Sequence, residues 1–105
     1  MPDDFLSPGS RLMGRINQTE HDEFLLDVDA QRRVTISASS AANCERRLVL
    51  YLYGPNGQLL EEDTIDGGNQ CPRIQRNLAP GRYTVWARGN NGVQINGYTI
   101  TLAFD

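Results

Sequence analysis

Lysine is absent from this chain, histidine and tryptophan occur once each, at His21 and Trp86, and cysteine occurs twice, at Cys44 and Cys71. Each scarcity closes off a class of function. A Ser-His-Asp arrangement would have to be built on His21. That residue stands in an acidic run, Glu20-His21-Asp22-Glu23, that reads as a solvated loop running into a strand, and no G-x-S-x-G is present. A zinc site would need further His or Cys ligands beside His21, and the two Cys are better used on each other. No glycine-rich loop opens a helix, so no phosphate cradle is expected. The acids at Glu61-Glu62-Asp63 and at Asp27 and Asp29 read as solvated loop carboxylates. The chain is therefore expected not to be an enzyme.

Positive charge and long apolar runs are also lacking. The net charge is −3, which argues against nucleic acid as a partner, because phosphate binding needs a clustered cationic surface. All the basic residues are arginine, a bias that genome composition alone can produce. No stretch approaches the roughly 18 apolar residues of a membrane span. The start, Met1-Pro2-Asp3-Asp4-Phe5, lacks the basic-then-apolar layout of a signal peptide. A secreted origin then requires a leader or a preceding domain ahead of residue 1.

What remains is short-period alternation. Leu48-Val49-Leu50-Tyr51-Leu52-Tyr53 and Arg82-Tyr83-Thr84-Val85-Trp86-Ala87-Arg88 both alternate with period two, and both adjoin Gly/Pro/Asn turns. Each reads as a strand with one face in a core. Further strands are expected from Leu12 to Ile16, from Phe24 to Val28, from Val34 to Ala38, from Gln58 to Ile65, from Ile74 to Leu78 and from Tyr98 to Phe104. Asn56-Gly57, Asn91-Gly92 and Asn96-Gly97 mark turns, where Asn and Gly tolerate positive φ. Residues 1–10 read as a lead-in kept irregular by Pro2, Pro8 and Gly9, and residues 11–105 as a single domain. No helical periodicity is present. About eight short strands separated by turn chemistry imply an all-β, antiparallel, jelly-roll-like sandwich.

Cys44 and Cys71 lie outside any C-x-x-C spacing, each in a polar loop before a strand. They read as a disulfide in an oxidising compartment, extracellular or periplasmic, against two free thiols in a cytosolic protein.

The alternation also sets which residues face out. If Leu48, Leu50 and Leu52 point inward, then Val49, Tyr51 and Tyr53 point outward. If Tyr83, Val85 and Ala87 point inward, then Arg82, Thr84, Trp86 and Arg88 point outward. Tyr51, Tyr53, Trp86 and Arg88 are the candidate binding residues, with a protein or polysaccharide as partner, since exposed aromatics beside Arg are typical of interface hot spots. The competing reading is that a loop or another domain covers the rings, or that Arg82 and Arg88 stack on Trp86.

Written out, Leu48 to Gly57 is L-x-L-Y-L-Y-G-P-x-G, and Leu78 to Val85 is L-x-P-G-x-Y-x-V. With Gly14-Arg15-Ile16, Asp22-Glu23-Phe24, Val34-Thr35-Ile36 and Tyr98-Thr99-Ile100-Thr101-Leu102 in order, the chain resembles the bacterial pre-peptidase C-terminal domain from Gly14 to Phe104. The resemblance implies a non-catalytic accessory domain of a secreted, peptidase-associated protein, aiding secretion, targeting or substrate binding. In that family, calcium-binding members use acids of the N-terminal linker and the acid before the D-x-F/Y strand. Asp22 matches the latter, Glu20 is a spare carboxylate, and the linker is reduced to Asp3 and Asp4. Periplasmic inhibitors of goose-type lysozyme resemble the same pattern. They supply the alternative reading, with Asn90 to Gly97 as the inhibitory loop. A third is a structural or adhesive surface module.

Overall fold

The computed structural model describes residues 4–40, 44, 47–64 and 71–105. Among these residues nine strands run in order: β1 Asp4–Leu6, β2 Arg11–Ile16, β3 His21–Val28, β4 Arg32–Ser39, β5 Leu48–Tyr53, β6 Leu59–Asp63, β7 Arg73–Leu78, β8 Gly81–Gly89 and β9 Ile95–Phe104. They form a five-stranded sheet, β1-β3-β8-β5-β6, facing a four-stranded one, β2-β9-β4-β7. The architecture is the expected all-β sandwich, and its pairings are antiparallel except between β1 and β3. Met1, Pro2, Asp3 and Ile65 lie outside the described residues.

Alternation explains the layers. Leu26, Ile36, Leu50, Leu52, Val85 and Ile100 are fully buried between the sheets, each contributing on the order of 1.5–3 kcal/mol. Their chain neighbours turn outward. Three segments depart from expectation. The lead-in carries β1, which buries Leu6 and sets Phe5 opposite Leu25. Three residues are too short to show an alternation. Asn96-Gly97 lies inside β9 and not at a turn. There the pair Asn96 and Gly97 opposes the single Arg15, between the pairings Gly14–Tyr98 and Ile16–Ile95, so the extra residue is taken up as a bulge. Val49 is buried too, at 2% exposure. It stands opposite Arg88 of β8 on the outward side of β5, so parity alone does not set its exposure.

Three contacts lock the layers and turns. Cys44 and Cys71 are bonded, with their Cα atoms 4.9 Å apart. They join the approach to β5 in one sheet to the approach to β7 in the other. Arg76 of β7 donates to the Leu60 carbonyl at 2.8 Å, closing the seam between β7 and β6. The Tyr83 hydroxyl donates to the Ala79 carbonyl at 2.6 Å across the Pro80-Gly81 turn. Tyr83→Phe leaves that carbonyl without its donor. The expected loss is about 1 kcal/mol, up to about 2, read as a lower urea midpoint at unchanged slope. An unchanged midpoint would show that the bond is matched by water.

Candidate binding face

The outer face of the larger sheet gathers the candidate residues because the register aligns their rows. One row crosses the strands as Glu23, Trp86, Tyr51 and Glu62, the next as Phe5, Leu25, Thr84, Tyr53 and Leu59, and a third as His21, Arg88 and Val49. Trp86, Tyr51, Tyr53 and Arg88 are all half-buried, on strands whose alternate residues make the core. A one-residue slip would have buried Trp86 and exposed Tyr83 and Val85.

The rings touch one another. The Trp86 and His21 rings stack at 3.8 Å between centroids and 16° between planes. Tyr53 tilts against Trp86 at 5.1 Å, and Tyr51 lies 6.4 Å from Tyr53. His21 Nε2 is 3.1 Å from Glu23 Oε1, which fixes the imidazole over the indole. Neither Arg82 nor Arg88 stacks on Trp86 as the competing reading supposed. The Arg88 guanidinium lies 6.0 Å over Tyr51. Arg82 makes two hydrogen bonds to Asp27, at 2.7 and 3.1 Å, and leans over Phe5 at 5.2 Å. Burial pushes the Tyr53 phenol above its ordinary value, and the adjacent Tyr51 adds to the shift. The Tyr53 phenol is therefore neutral at physiological pH. The hydrogen bond from Arg82 holds the Asp27 carboxyl below its usual range. That contribution is present above the ordinary aspartate value and lost as pH falls through the lowered one. Being fully exposed, it is small.

Three residues of this face escaped the sequence reading. Phe5, 46% exposed, stands in the lead-in, and Leu59, 49% exposed, stands on the weakest strand. His21 opens β3 and stacks on Trp86, where a solvated loop residue was expected. The only available signal was its even spacing from Glu23 and Leu25 on one strand face.

Of the two acids expected to bind calcium, Asp22 meets a tyrosine and Glu20 a neighbouring amide. Tyr98 is buried, its ring packs where a Cβ on Gly14 would lie 2.7 Å away, and its hydroxyl donates to Asp22 Oδ2 at 2.5 Å. Glu20 is exposed and accepts from the Asn17 amide at 3.4 Å. Calcium needs six to eight oxygens, and no group of three or more His, Cys, Asp or Glu positioned for a metal exists among the described residues. The side chains of Asp3 and Asp4, the other acids of that expectation, lie outside the described residues. Gly14, Asp22 and Tyr98 form a structural contact between the sheets.

The suspected loop is a tight turn. Asn90–Gly92 make a single 3-10 turn with Asn91 at φ 58° and Gly92 at φ 80°. Thr19 N–H donates to the Gly92 carbonyl at 2.9 Å, and Val93 is 39% exposed beyond it.

No protein-family model matches the sequence, and neither does any curated protein sequence. Solved structures do match. The pre-peptidase C-terminal domain of a collagenase from Bacillus anthracis superposes with a TM-score of 0.77 at 11% identity, covering 97% of this chain and 96% of that one. The fold is that of a pre-peptidase C-terminal domain. A periplasmic inhibitor of g-type lysozyme from Aeromonas hydrophila matches at TM-score 0.67 and 14% identity, over 97% of this chain and 99% of that one. A mitogen from Yersinia pseudotuberculosis matches at 0.69 and 12%, over 94% and 88%. Proteins whose named roles differ thus share this sandwich fold, and the roles must be argued from surfaces.

Proposed function

We propose that this chain is a non-catalytic binding domain of an extracytoplasmic protein, docking on a protein partner through the aromatic face of its larger sheet. The contiguous ring cluster of Tyr51, Tyr53, Trp86 and His21 carries the reading. Folding needs only the inner face, and an outward cluster of rings beside Arg88 has hot-spot composition. The Cys44–Cys71 bond supports an oxidising compartment, and the shared fold with a collagenase domain supports an accessory role to a peptidase.

A second reading is favoured by the exposed Val93 on its tight turn and by the likeness to a lysozyme inhibitor: insertion of Asn90 to Gly97 into an enzyme cleft. Soluble collagen and g-type lysozyme, each immobilised, separate the two. Trp86→Ala is expected to weaken binding at least about tenfold, as loss of a hot spot does, while the unfolding midpoint stays within about 1 kcal/mol of the parent's. Loss with Val93→Ala and inhibition of lysozyme would favour the turn. Binding to either protein that survives Trp86→Ala would remove the aromatic face from consideration.

A further inference from the structure

The outer face of the smaller sheet carries a different chemistry. Register places Arg11, Thr101, Ser37 and Arg73 in one row across β2, β9, β4 and β7. Thr99 and Ser39 stand one pleat further along. These six side chains line a groove of 480 Å³. Adjacent strands are about 4.8 Å apart, so the two arginines are anchored about 14 Å apart at the ends of a hydroxyl floor. Both arginines are exposed, whereas Ser37, Thr99 and Thr101 are half-buried.

The neighbouring carboxylates have partners other than the two guanidinium groups. Asp105 meets Arg33 at 3.6 Å and Thr35 Oγ1 at 3.2 Å. Glu61 lies 3.5 Å from Arg76, and Asp63 accepts from the Arg73 backbone N–H at 2.9 Å. Among the described residues, no carboxylate pairs with the guanidinium of Arg11 or Arg73. Arg15 and Arg33 are exposed at outward positions of the same sheet. The net negative charge of the chain is thus not shared by this face.

We propose that this groove binds an acidic polysaccharide. A guanidinium presents a planar fork that takes carboxylate or sulfate oxygens two at a time. Serine and threonine hydroxyls both donate and accept, which suits sugar hydroxyls. Among the described residues the groove lining holds no aromatic side chain; Met13, 84% exposed, stands beside it opposite Thr99. Two cations separated by the width of the sheet fit a repeating anion better than a single ion. The site stands apart from the aromatic face and does not depend on its role.

The test uses polygalacturonate, dextran sulfate and neutral dextran with the purified chain in calorimetry and in gel-retardation assays. Saturable binding to at least one acidic polymer and none to dextran is expected, weakening several-fold as ionic strength rises from about 0.05 to about 0.5 M. The double variant Arg11→Gln/Arg73→Gln should lose at least about tenfold in affinity with an unchanged melting temperature, since both residues are exposed. Trp86→Ala should leave this binding intact. Retention in the double variant, equal binding of polyglutamate, or equal affinity for free galacturonate or sulfate ions would overturn the proposal. If the double variant unfolds, Arg11→Lys/Arg73→Lys keeps the charge and removes the fork. Weaker binding by that variant supports the site, and unchanged binding overturns it.

Discussion

Reduction of the Cys44–Cys71 bond is expected to lower the melting temperature by about 10 to 20 °C. The bond spans 27 residues, and closing such a loop restricts the unfolded chain by about 3.5 kcal/mol in the chain-entropy model. A domain of this size shifts roughly 4 °C or more per kcal/mol. The placement adds a second effect. The bridge joins segments entering opposite sheets, and both sulfurs are buried among core residues. The measurement is a thermal melt with and without reductant, repeated on Cys44→Ala/Cys71→Ala, which should melt low and ignore reductant. Two free thiols by mass spectrometry in the oxidised protein would falsify both the pairing and the compartment argued from it.

Gly89→Ala is expected to destabilise by about 3 kcal/mol or more, whereas Gly97→Ala, eight residues on, should change stability by less than about 0.5 kcal/mol. A Cβ on Gly89 would meet the Val93 carbonyl oxygen at 1.8 Å, while one on Gly97 meets nothing within 4 Å. The first obstruction is backbone, so relief requires moving the whole 3-10 turn that follows. Urea unfolding of the two variants side by side reads the contrast. Equal effects would mean that the turn after β8 swings freely, and the geometry argued for Val93 would be wrong.

The parity of β5 and β8 was legible because six or more residues of strict alternation leave one register consistent with a buried face. Trp86, Tyr51 and Tyr53 could therefore be placed outward before any coordinates. The burial of Val49 could not be placed, since exposure at an outward position is set by side chains from elsewhere in the fold, not by parity. β1 was hidden for another reason. Its evidence lies in β3, where Leu25 breaks the alternation and finds Phe5 across a parallel pairing. Asn96-Gly97 misled because the residue types that suit positive φ also suit a bulge. Asp22 was visible as a significant acid, but its partner Tyr98 is 76 residues away, a contact no local pattern shows. The same holds for the groove on the smaller sheet. Its arginines and hydroxyls come from four strands spread along the chain, so it exists only once the register is known.

The order of strands in the sheets has a consequence for how the chain reaches this state. β8 lies between β3 and β5, and β9 lies between β2 and β4. The last two of the described strands are thus interior members, one in each sheet. Until residues 81–104 have emerged, β2 and β3 have no antiparallel partner, and neither layer can close over the other. In a chain delivered N-terminus first, the pairs β4-β7 and β5-β6 can form before the two central strands arrive. The pairings made by β8 and β9 are largely non-local, and such pairing is intrinsically slow. A cut anywhere ahead of β9 would not shorten the domain by one edge. It would take the middle out of the smaller sheet.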